Sequence, residues 1–320
     1  MCIRDRSQIG QDIDGEAVGD ESGYSVSLSS DGSIVAIGAI FNDGNGTNSG
    51  HVRIFENISG TWTQIGQDID GETLQNLSGS SVSLSSDGSI VAIGARGNDG
   101  NGFNSGHVRI YENIGGSWSQ IGQDIDGELA GDDFGFSSSL SFDGNIVAIG
   151  GHWNDSLAGH VRVYQNLGGS WIQIGQDIDG ESVADQSGRS VSLSNDGNTV
   201  AIGAIYNNGN GTNSGHVRVY QNLGGSWTQI GQDIDGENSG DQSGISVSLS
   251  SDGNIIAIGA PENNGNGTNS GHIRIYENIG GLWSQIGQDI NGEAVNDWSG
   301  RSVSLSSCLL YTSDAADEVV

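Results

Sequence analysis

The sequence predicts an all-β protein assembled from repeated four-stranded antiparallel units. Two observations lead to this prediction. The 320-residue chain repeats a segment of about 56 residues five times, and one phase of the repeat is marked by Trp62, Trp118, Trp171, Trp227 and Trp283, at intervals of 56, 53, 56 and 56 residues. Each copy also carries short runs in which apolar and small polar residues alternate with period two, and no segment shows helical periodicity with caps.

Four strand-like runs follow one another in each copy. In the first copy they are residues 25–29 (SVSLS), 34–39 (IVAIGA), 51–55 (HVRIF) and 62–65 (WTQI). An Asp31-Gly32 pair between the first two runs is a strong hairpin-turn signal. The second run is almost wholly apolar and is therefore expected to be buried on both faces. A polar loop over residues 42–50 leads to the third run.

Four short antiparallel strands at a period near 50 residues are typical of a β-propeller blade. The alternative is a β-solenoid, whose coils are usually shorter and need no four-stranded meander. The predicted complete blades are residues 22–72, 78–128, 134–181, 187–237 and 243–293. Partial strands are predicted at residues 7–17 and 299–307. A longer parent protein with six, seven or eight blades is compatible with this count, and seven is the preferred number.

The two ends of the chain do not belong to the repeat. Residues 1–6 and 308–320 both read as translated transposon-end sequencing adapter, in opposite orientations; the alternative is that they are genuine divergent tails. With these ends excluded, the propeller fragment is residues 7–307, and both cysteines, Cys2 and Cys308, are lost with them. The expectation is then a fragment whose parent chain supplies the missing blades.

The charge of the chain argues against several kinds of partner. It holds 40 acidic residues against 10 basic ones, all of them arginine, for a formal net charge of −30. Nucleic acid is not an expected partner, because phosphate binding needs clustered cations. No run of about 18 apolar residues exists, so no membrane insertion is expected. A lysine-free acidic surface fits, as a hypothesis, a saline extracellular setting.

The repeat also resembles a known family. The order Ser-Gly-x-Ser-Val-Ser-Leu-Ser, Asp-Gly, Ala-Ile-Gly-Ala and Gly-His-Val-Arg-Ile-Tyr resembles the FG-GAP repeat, and the resemblance covers every blade. Phe134-Gly135 and Gly259-Ala260-Pro261 are the nearest matches to the two motifs that give the family its name. The resemblance implies a seven-bladed propeller, as in integrin α-subunit heads and many secreted bacterial proteins, and a role in extracellular binding or adhesion.

One feature of the family is missing from this sequence. Many FG-GAP blades bind Ca²⁺ through an Asp-x-Asp-x-Asp-Gly-like loop between the first and second strands. Here that loop has shrunk to a single carboxylate, whereas Ca²⁺ takes six to eight oxygen ligands. The calcium site is therefore not carried over, and turn formation is the expected role of Asp31, Asp87, Asp143, Asp196 and Asp252.

Two repeated motifs contain candidate ligand groups. A His-x-Arg pair opens the third strand of each copy, and it is expected to pair with a neighbouring carboxylate or carbonyl as part of the scaffold. An Asp-Ile-Asp-Gly-Glu segment follows the fourth strand and is expected at the same end of the blade as the 42–50 loop. It is interpreted either as a solvated acidic rim or as a weak Ca²⁺ site with oxygen ligands only. No other cofactor is expected, and the weak metal-ligand candidates are Asp68, Asp70, Glu72, Asp124, Asp126 and Glu128.

Residues that break the repeat are the candidates for ligand binding. The loop of the third copy is three residues short and reads Gly-His-Trp-Asn-Asp, and the position after Ser-Gly or Phe-Gly varies between copies. Both variable positions are expected near one end of the blades, where exposed aromatic side chains beside carboxylates suit a sugar or a peptide; neutral drift is the alternative. The candidates are His152, Trp153, Tyr24, Phe136, Arg189, Tyr206 and Arg96.

The sequence as a whole favours a secreted or cell-surface module that binds a protein or glycan partner, mediates adhesion and catalyses no reaction. A structural spacer in a large surface protein is the alternative. A propeller-based glycan hydrolase is disfavoured, because it needs one asymmetric pair of carboxylates about 5–10 Å apart, and the repeated acids do not supply that asymmetry.

Overall fold

Nearly all the regular structure of the protein is β-strand. A computed structural model describes residues 8–306, so the two predicted foreign ends lie outside the described residues. The described chain contains twenty-five strands, arranged in five antiparallel sheets, and one helix of four residues. This confirms the predicted all-β fold of repeated antiparallel sheets. Within the described part, no helix is long and apolar enough to cross a bilayer.

The strands follow the repeat along the chain. The first repeat forms β1 (Ser22–Leu28), β2 (Ile34–Ala39), β3 (His51–Ile58), β4 (Thr61–Gln64) and β5 (Ile69–Asp70). The second forms β6 (Ser78–Leu84), β7 (Ile90–Ala95), β8 (His107–Ile114), β9 (Ser117–Gln120) and β10 (Ile125–Asp126). The third forms β11 (Ser137–Leu140), β12 (Ile146–Gly151), helix α1 (Asn154–Leu157), β13 (His160–Asn166), β14 (Trp171–Gln173) and β15 (Ile178–Asp179).

The last two repeats have the same order of strands. The fourth forms β16 (Ser187–Leu193), β17 (Thr199–Ala204), β18 (His216–Asn222), β19 (Trp227–Gln229) and β20 (Ile234–Asp235). The fifth forms β21 (Ser246–Leu249), β22 (Ile255–Ala260), β23 (His272–Ile279), β24 (Leu282–Gln285) and β25 (Ile290–Asn291). The chain divides into two compact units, Met1–Gly144 with Leu167–Trp171 and Asn145–Asn166 with Ile172–Val320. Each unit holds two whole sheets: β1–β5 and β6–β10 in the first, β16–β20 and β21–β25 in the second.

The fourth strand of each sheet is split in two. In the first repeat β4 pairs with the distal half of β3, while β5 pairs with its beginning through His51↔Asp70 and Val52↔Ile69. Ile69 is buried in the core between the first two sheets, which draws the segment back against β3. The prediction that the whole Asp-Ile-Asp-Gly-Glu segment is a connection is therefore wrong for its central Ile-Asp pair.

A close contact between backbones accounts for two glycine motifs. The register of β6 against β7 shifts between Ser78 and Ser81, and Gly79 inside this bulge has a φ of +90°. Its carbonyl oxygen lies against Gly38 of the first sheet, where a Cβ atom would collide with it. The Ser-Gly and Gly-Ala motifs recur together because each needs the other to be small.

The hydrophobic core lies between consecutive sheets. In the first unit, Val52 and Ile54 of β3 pack with Val82 of β6, Val91 of β7 and Trp118 of β9. In the second unit, an equivalent cluster joins β16–β20 to β21–β25. Each of these repeats therefore completes its core with a neighbour, as expected of a repeat protein, and a repeated tryptophan packs in each of the two clusters.

Two local predictions are corrected by the structure. The predicted partial strands at 7–17 and 299–307 are not formed within their described residues, 8–17 and 299–306, where no strand partner is present among the described residues. The short loop of the third repeat contains helix α1, although no helix is predicted. A helix of one turn is too short to leave a periodic signal in the sequence.

Candidate functional site

The histidine that opens the third strand of each repeat lies among carboxylates. In the first repeat, the pairing of β5 with β3 brings the Asp68–Asp70 segment beside His51, and Glu16 comes from the segment before β1. The imidazole Nδ1 of His51 lies 3.8 Å from Oε2 of Glu16 and 4.0 Å from Oδ2 of Asp68. We call such a Glu–His–Asp set a carboxylate–histidine cluster.

Four of these clusters have all three members inside one unit. They are Glu16/His51/Asp68 and Glu72/His107/Asp124 in the first unit, and Glu181/His216/Asp233 and Glu237/His272/Asp289 in the second. In each cluster, one nitrogen or oxygen atom from every residue lies within 4.8 Å of the other two. The spacing along the chain is constant, with 35 residues from the glutamate to the histidine and 17 from the histidine to the aspartate.

The imidazole–carboxylate distances are similar in the other clusters. They are 4.0 Å from His107 Nδ1 to Glu72 Oε2, 3.7 Å from His107 Nδ1 to Asp124 Oδ2, 3.8 Å from His216 Nδ1 to Asp233 Oδ2, 3.8 Å from His272 Nδ1 to Glu237 Oε2 and 3.9 Å from His272 Nδ1 to Asp289 Oδ2. All of these separations are too long for an N–H···O hydrogen bond. The groups face one another without a direct bond.

The imidazoles are buried and the carboxylates are only partly so. The four histidines are 1% exposed, whereas the aspartates are 28–33% and the glutamates 40–45% exposed. Burial lowers the pKa of His107 to about 4, with a further lowering from Arg109 and an opposing effect of Asp124. Burial likewise lowers the pKa of His216 to about 4. Both imidazoles are therefore neutral at pH 7 and keep one nitrogen lone pair.

Glutamine side chains orient the aspartates of the clusters. Gln64 donates a hydrogen bond of 2.6 Å from Nε2 to Oδ1 of Asp68, which leaves Oδ2 facing His51. The same bond recurs at 2.6–2.7 Å from Gln120 to Asp124, from Gln229 to Asp233 and from Gln285 to Asp289. The two oxygens of each aspartate thus have different surroundings.

The arginine of the His-x-Arg pair lies beside the glutamate. Arg53 donates from Nη2 to the carbonyl oxygen of Asp14 at 2.6 Å, and its Nη1 lies 3.9 Å from Oε1 of Glu16. The guanidinium carbon is 5.4 Å from the centroid of the Phe55 ring. Equivalent carbonyl bonds of 2.6–2.7 Å are made by Arg109, Arg218 and Arg274. The predicted pairing with a neighbouring carboxylate or carbonyl is confirmed for these arginines, whereas the histidines face carboxylates without a hydrogen bond.

The polar loop between the second and third strands adjoins the acidic segment, as predicted. Asn45 donates from Nδ2 to the carbonyl oxygens of Gly71 and Glu72, both at 2.9 Å. Asn42 donates from Nδ2 to Oδ2 of Asp20, also at 2.9 Å. In the second unit, this end holds a cavity of about 370 Å³ beside one cluster, with a lining that includes Glu181, Asp185, Asn207, Asp233 and Asp235.

The weak metal-ligand candidates divide into two groups. Asp68, Glu72 and Asp124 belong to carboxylate–histidine clusters. Asp126 lies close by, with Oδ1 3.9 Å from Nδ1 of His107. Burial raises the pKa of Asp70, which pairs with His51 in the sheet. Glu128 is exposed, and its backbone N–H donates to Oδ2 of Asp132 at 3.0 Å.

Sequence reasoning predicted a neighbouring carboxylate or carbonyl for the histidines, but it missed which acids these are. In the four clusters, the histidine faces an aspartate of its own repeat and a glutamate that precedes its first strand. The constant spacings of 35 and 17 residues were the available signal.

Two pairs of non-repeated candidates are in contact. The guanidinium carbon of Arg96 lies 5.3 Å from the centroid of the Phe136 ring in the next repeat, so the two variable positions lie at one end of the blades, as predicted. The rings of His152 and Trp153 lie 5.4 Å apart at 51°. His152 is only 3% exposed and Trp153 is 43% exposed, so Trp153 alone of this pair is presented at the surface.

The remaining candidates occupy separate elements. Tyr24 is exposed in β1, Arg189 is half-buried in β16, and Tyr206 is half-buried just after β17. One exposed aromatic residue was not singled out from the sequence: Phe103 is 70% exposed, in a loop where three other repeats carry threonine. The replacement of threonine by phenylalanine in a repeated loop was the sequence signal for Phe103.

A buried carboxylate accompanies the Arg96–Phe136 pair. Asp133 is 4% exposed and has a φ of 52°. Burial raises the pKa of Asp133 to about 6, against a lowering by Arg96 and with a further rise from Asp132. A carboxylate with this pKa changes charge close to neutral pH.

The Asp-Gly turns at the opposite end of the sheets have a structural role, as predicted. Oδ1 of Asp87 accepts hydrogen bonds from the backbone N–H of Ser89 at 2.9 Å and from the hydroxyl of Ser85 at 2.8 Å. The bonds from Ser89, followed by that from Ser85, lower the pKa of Asp87. The serine hydroxyl bond recurs at Asp31, Asp143, Asp196 and Asp252.

Comparison with known proteins agrees with the resemblance seen in the sequence. The FG-GAP repeat family matches residues 13–55, 178–220 and 234–276. No curated protein matches the chain in sequence.

Two solved structures are similar in fold. One is a Bacteroides uniformis protein provisionally named a 6-phosphogluconolactonase, with 14% identity and a TM-score of 0.58 over 85% of this chain and 72% of that one. The other is the hydrazine synthase of Kuenenia stuttgartiensis, with 15% identity and a TM-score of 0.53 over 86% of this chain and 69% of that one. At these identities the likeness concerns the fold alone. The chain therefore carries FG-GAP repeats, three of them matched directly, on antiparallel sheets of the β-propeller type.

Proposed function

We propose that this protein is an extracellular, non-enzymatic binding or adhesion module that recognises a glycan or protein partner. The observation that carries the proposal is the Arg96–Phe136 contact, which forms where two consecutive repeats meet. At the equivalent positions other repeats carry Ile40 with Ser80 and Ile205 with Ile245. A departure from the repeat is where a specific ligand site is expected, because shared residues serve the scaffold.

The chemistry of this contact suits an acidic sugar or a carboxylate-bearing peptide. A guanidinium over an aromatic ring offers several fixed N–H donors beside a flat apolar face. Carboxylates accept paired hydrogen bonds from such a guanidinium. Positive charge is scarce in this chain: among the described arginines, only Arg96, Arg189 and Arg301 are not buried. An acidic ligand would therefore be drawn to these few positions.

The family and the charge of the chain support the proposed location. FG-GAP repeats occur in secreted proteins, and three segments of this chain match that repeat family. The net charge of −30 is tolerated best in saline surroundings, where screening limits repulsion between surface carboxylates.

Binding assays with the full chain test the proposal. Arg96→Ala and Phe136→Ala are compared with wild type on glycan arrays and in pull-down experiments. Leu223→Ala is the control, because Leu223 is an exposed apolar side chain in a turn at the opposite end of its sheet. We expect each site variant to bind about fivefold more weakly, since a cation–π contact of this kind contributes about 1 kcal/mol, and the control to bind as wild type does.

Two outcomes would contradict the proposal. Unchanged binding profiles in both site variants, or no ligand for the wild-type chain, would favour a structural spacer. The recurrence of the same hydrogen bonds in successive repeats is also compatible with a structural spacer. Turnover of a polysaccharide by the wild-type chain would contradict both the binding module and the spacer.

A further inference from the structure

We propose that the carboxylate–histidine clusters bind divalent transition-metal ions of the Zn²⁺ or Mn²⁺ type, one ion per cluster. The ligands are Nδ1 of the histidine and one oxygen from each of the two carboxylates. The proposal is independent of glycan or protein binding at Arg96, and it rests on four groups of identical composition and spacing.

The state of two buried histidines points to a ligand. His216 and His272 are each 1% exposed, and neither ring nitrogen of either residue has a hydrogen-bond partner. Nδ1 of His272 nevertheless faces Oε2 of Glu237 and Oδ2 of Asp289 at 3.8 and 3.9 Å. A buried polar nitrogen without a partner destabilises a fold, and coordination to a cation between the three groups would satisfy it.

The distances in the clusters are close to those of a coordinated ion. A tetrahedral Zn²⁺ ion, bound at about 2.0–2.2 Å by nitrogen and oxygen, holds its ligand atoms about 3.4 Å apart. The observed nitrogen–oxygen separations of 3.7–4.0 Å exceed this by a few tenths of an ångström. Small rotations of the partly exposed carboxylates would close that gap, while the buried imidazole stays fixed.

The ligand oxygens are already turned towards the proposed ion. Gln229 donates to Oδ1 of Asp233 at 2.7 Å, so Oδ2 is the oxygen that faces His216. Arg218 lies 3.6 Å from Oε1 of Glu181, and in the equivalent cluster of Glu237 the second glutamate oxygen faces the histidine. Partners of this kind, outside the ligand set, orient carboxylates and imidazoles in metal sites.

The charge of each cluster also favours a divalent cation. In the cluster of His216, Glu181 and Asp233 are opposed by the single guanidinium of Arg218. Asp235 lines the same cavity as these two carboxylates, so three negative charges repel one another there. Two positive charges placed between these groups would relieve that repulsion.

The mixed donor set distinguishes transition metals from calcium. One imidazole nitrogen with carboxylate oxygens suits Zn²⁺ and Mn²⁺, whereas Ca²⁺ takes six to eight oxygens. The fifth repeat carries Asn291 at the position of Asp235 in the fourth. We therefore expect the cluster of His272 to bind more weakly than the cluster of His216.

Metal titration of the full chain tests the proposal. The purified protein is stripped with a chelator, dialysed and titrated with Zn²⁺ by calorimetry, and with Co²⁺ by visible absorption. We expect at least four Zn²⁺ ions per chain, together with Co²⁺ absorption bands that Zn²⁺ abolishes. His216→Gln should lower the stoichiometry by one ion. His152→Gln is the matched control, since His152 is also buried but belongs to none of these groups, and it should leave the stoichiometry unchanged.

A second variant guards against loss of folding. Asp289 is 28% exposed, so Asp289→Asn changes a ligand without disturbing the core. We expect this variant to keep its circular dichroism spectrum and to lose one ion, or at least tenfold in affinity for it. Unchanged Zn²⁺ binding in folded Asp289→Asn, or fewer than one Zn²⁺ per wild-type chain, would overturn the proposal. Displacement of Zn²⁺ by equimolar Ca²⁺ would overturn the choice of ion.

Discussion

The indole Nε1 of Trp118 donates a hydrogen bond of 2.9 Å to the carbonyl oxygen of Ile65, 53 residues earlier in the chain. Trp118 is 4% exposed and packs in the core between the first two sheets. We expect Trp118→Phe to lower the free energy of unfolding by about 2 kcal/mol, because it removes both a buried hydrogen bond and part of the packing. Urea denaturation measures this loss.

Trp62→Phe is the matched control for that substitution. Trp62 makes the same kind of bond, at 3.0 Å to the carbonyl oxygen of Ile9, but it is only half-buried. Trp62→Phe should therefore lower the free energy of unfolding by clearly less than Trp118→Phe does. Equal losses in the two variants would show that packing between sheets contributes little to the role of the tryptophan.

Replacing Gly38 should destabilise the protein strongly. A Cβ atom at this position would collide with the carbonyl oxygen of Gly79 in the next sheet, so Gly38→Ala forces two backbones apart. We expect a loss of about 3 kcal/mol in the free energy of unfolding. Gly32→Ala is the control, because Gly32 has open space around it and a φ of +71°. Only the backbone conformation opposes alanine there, so we expect a loss of about 1 kcal/mol in the free energy of unfolding.

The stability contributed by Asp133 should depend on pH. Its pKa is about 6 in the folded protein and ordinarily 3.8, so the protonated side chain favours the folded state. This contribution is fully present below about pH 4 and is lost as the pH rises through 6. Asp133→Asn, which is neutral throughout, should be more stable than wild type above pH 6, by about 1 kcal/mol after screening by solvent.

Chemical denaturation of both proteins between pH 4 and pH 7.5 measures this difference. The advantage of Asp133→Asn should shrink towards pH 4, where the wild-type side chain is protonated as well. A difference that stays constant across the range would contradict the assignment of the pH dependence to Asp133.

The Asp-Gly turns should show the opposite dependence on pH. The hydrogen bonds from Ser89 and Ser85 lower the pKa of Asp87, so its contribution to stability is present above about pH 4 and lost as the pH falls through the lower, folded pKa. Asp87→Ala should therefore unfold more readily than wild type at pH 7, and the gap should narrow towards pH 2. Thermal denaturation at the two pH values checks this, and a gap that widens in acid would contradict it.

Most of the sheet architecture could be predicted from the sequence, because each strand carries its own signal. The IVAIGA run of β2 is apolar enough to indicate burial on both faces, and the structure buries five of its six residues. Strand β5 left no such signal, since a strand of two residues is too short to show a repeated alternation. Its pairing depends on Ile69 entering a core that a second repeat completes.

The candidate metal site was harder to predict for the same reason. The acids of the Asp-Ile-Asp-Gly-Glu segment could be singled out by their repetition. Their partner, such as His51, lies across a strand pairing that the sequence did not reveal, and Glu16 reaches it from the segment before β1. Strand register follows from hydrophobic alternation and turn geometry, and the two residues of β5 carry too little alternation to reveal their pairing in advance.

The bonds between consecutive sheets join equivalent atoms at every step where both sheets lie in one unit. The indole bond of Trp118 to Ile65 returns as that of Trp283 to Ile230, and the hydroxyl of Ser25 meets the carbonyl oxygen of Gly79 as that of Ser190 meets Gly244. A gene duplication or deletion of one whole repeat would therefore create a junction with the same partners as before. Change by whole repeats, rather than by single residues, is the form of evolution that this architecture accommodates with least loss of stability.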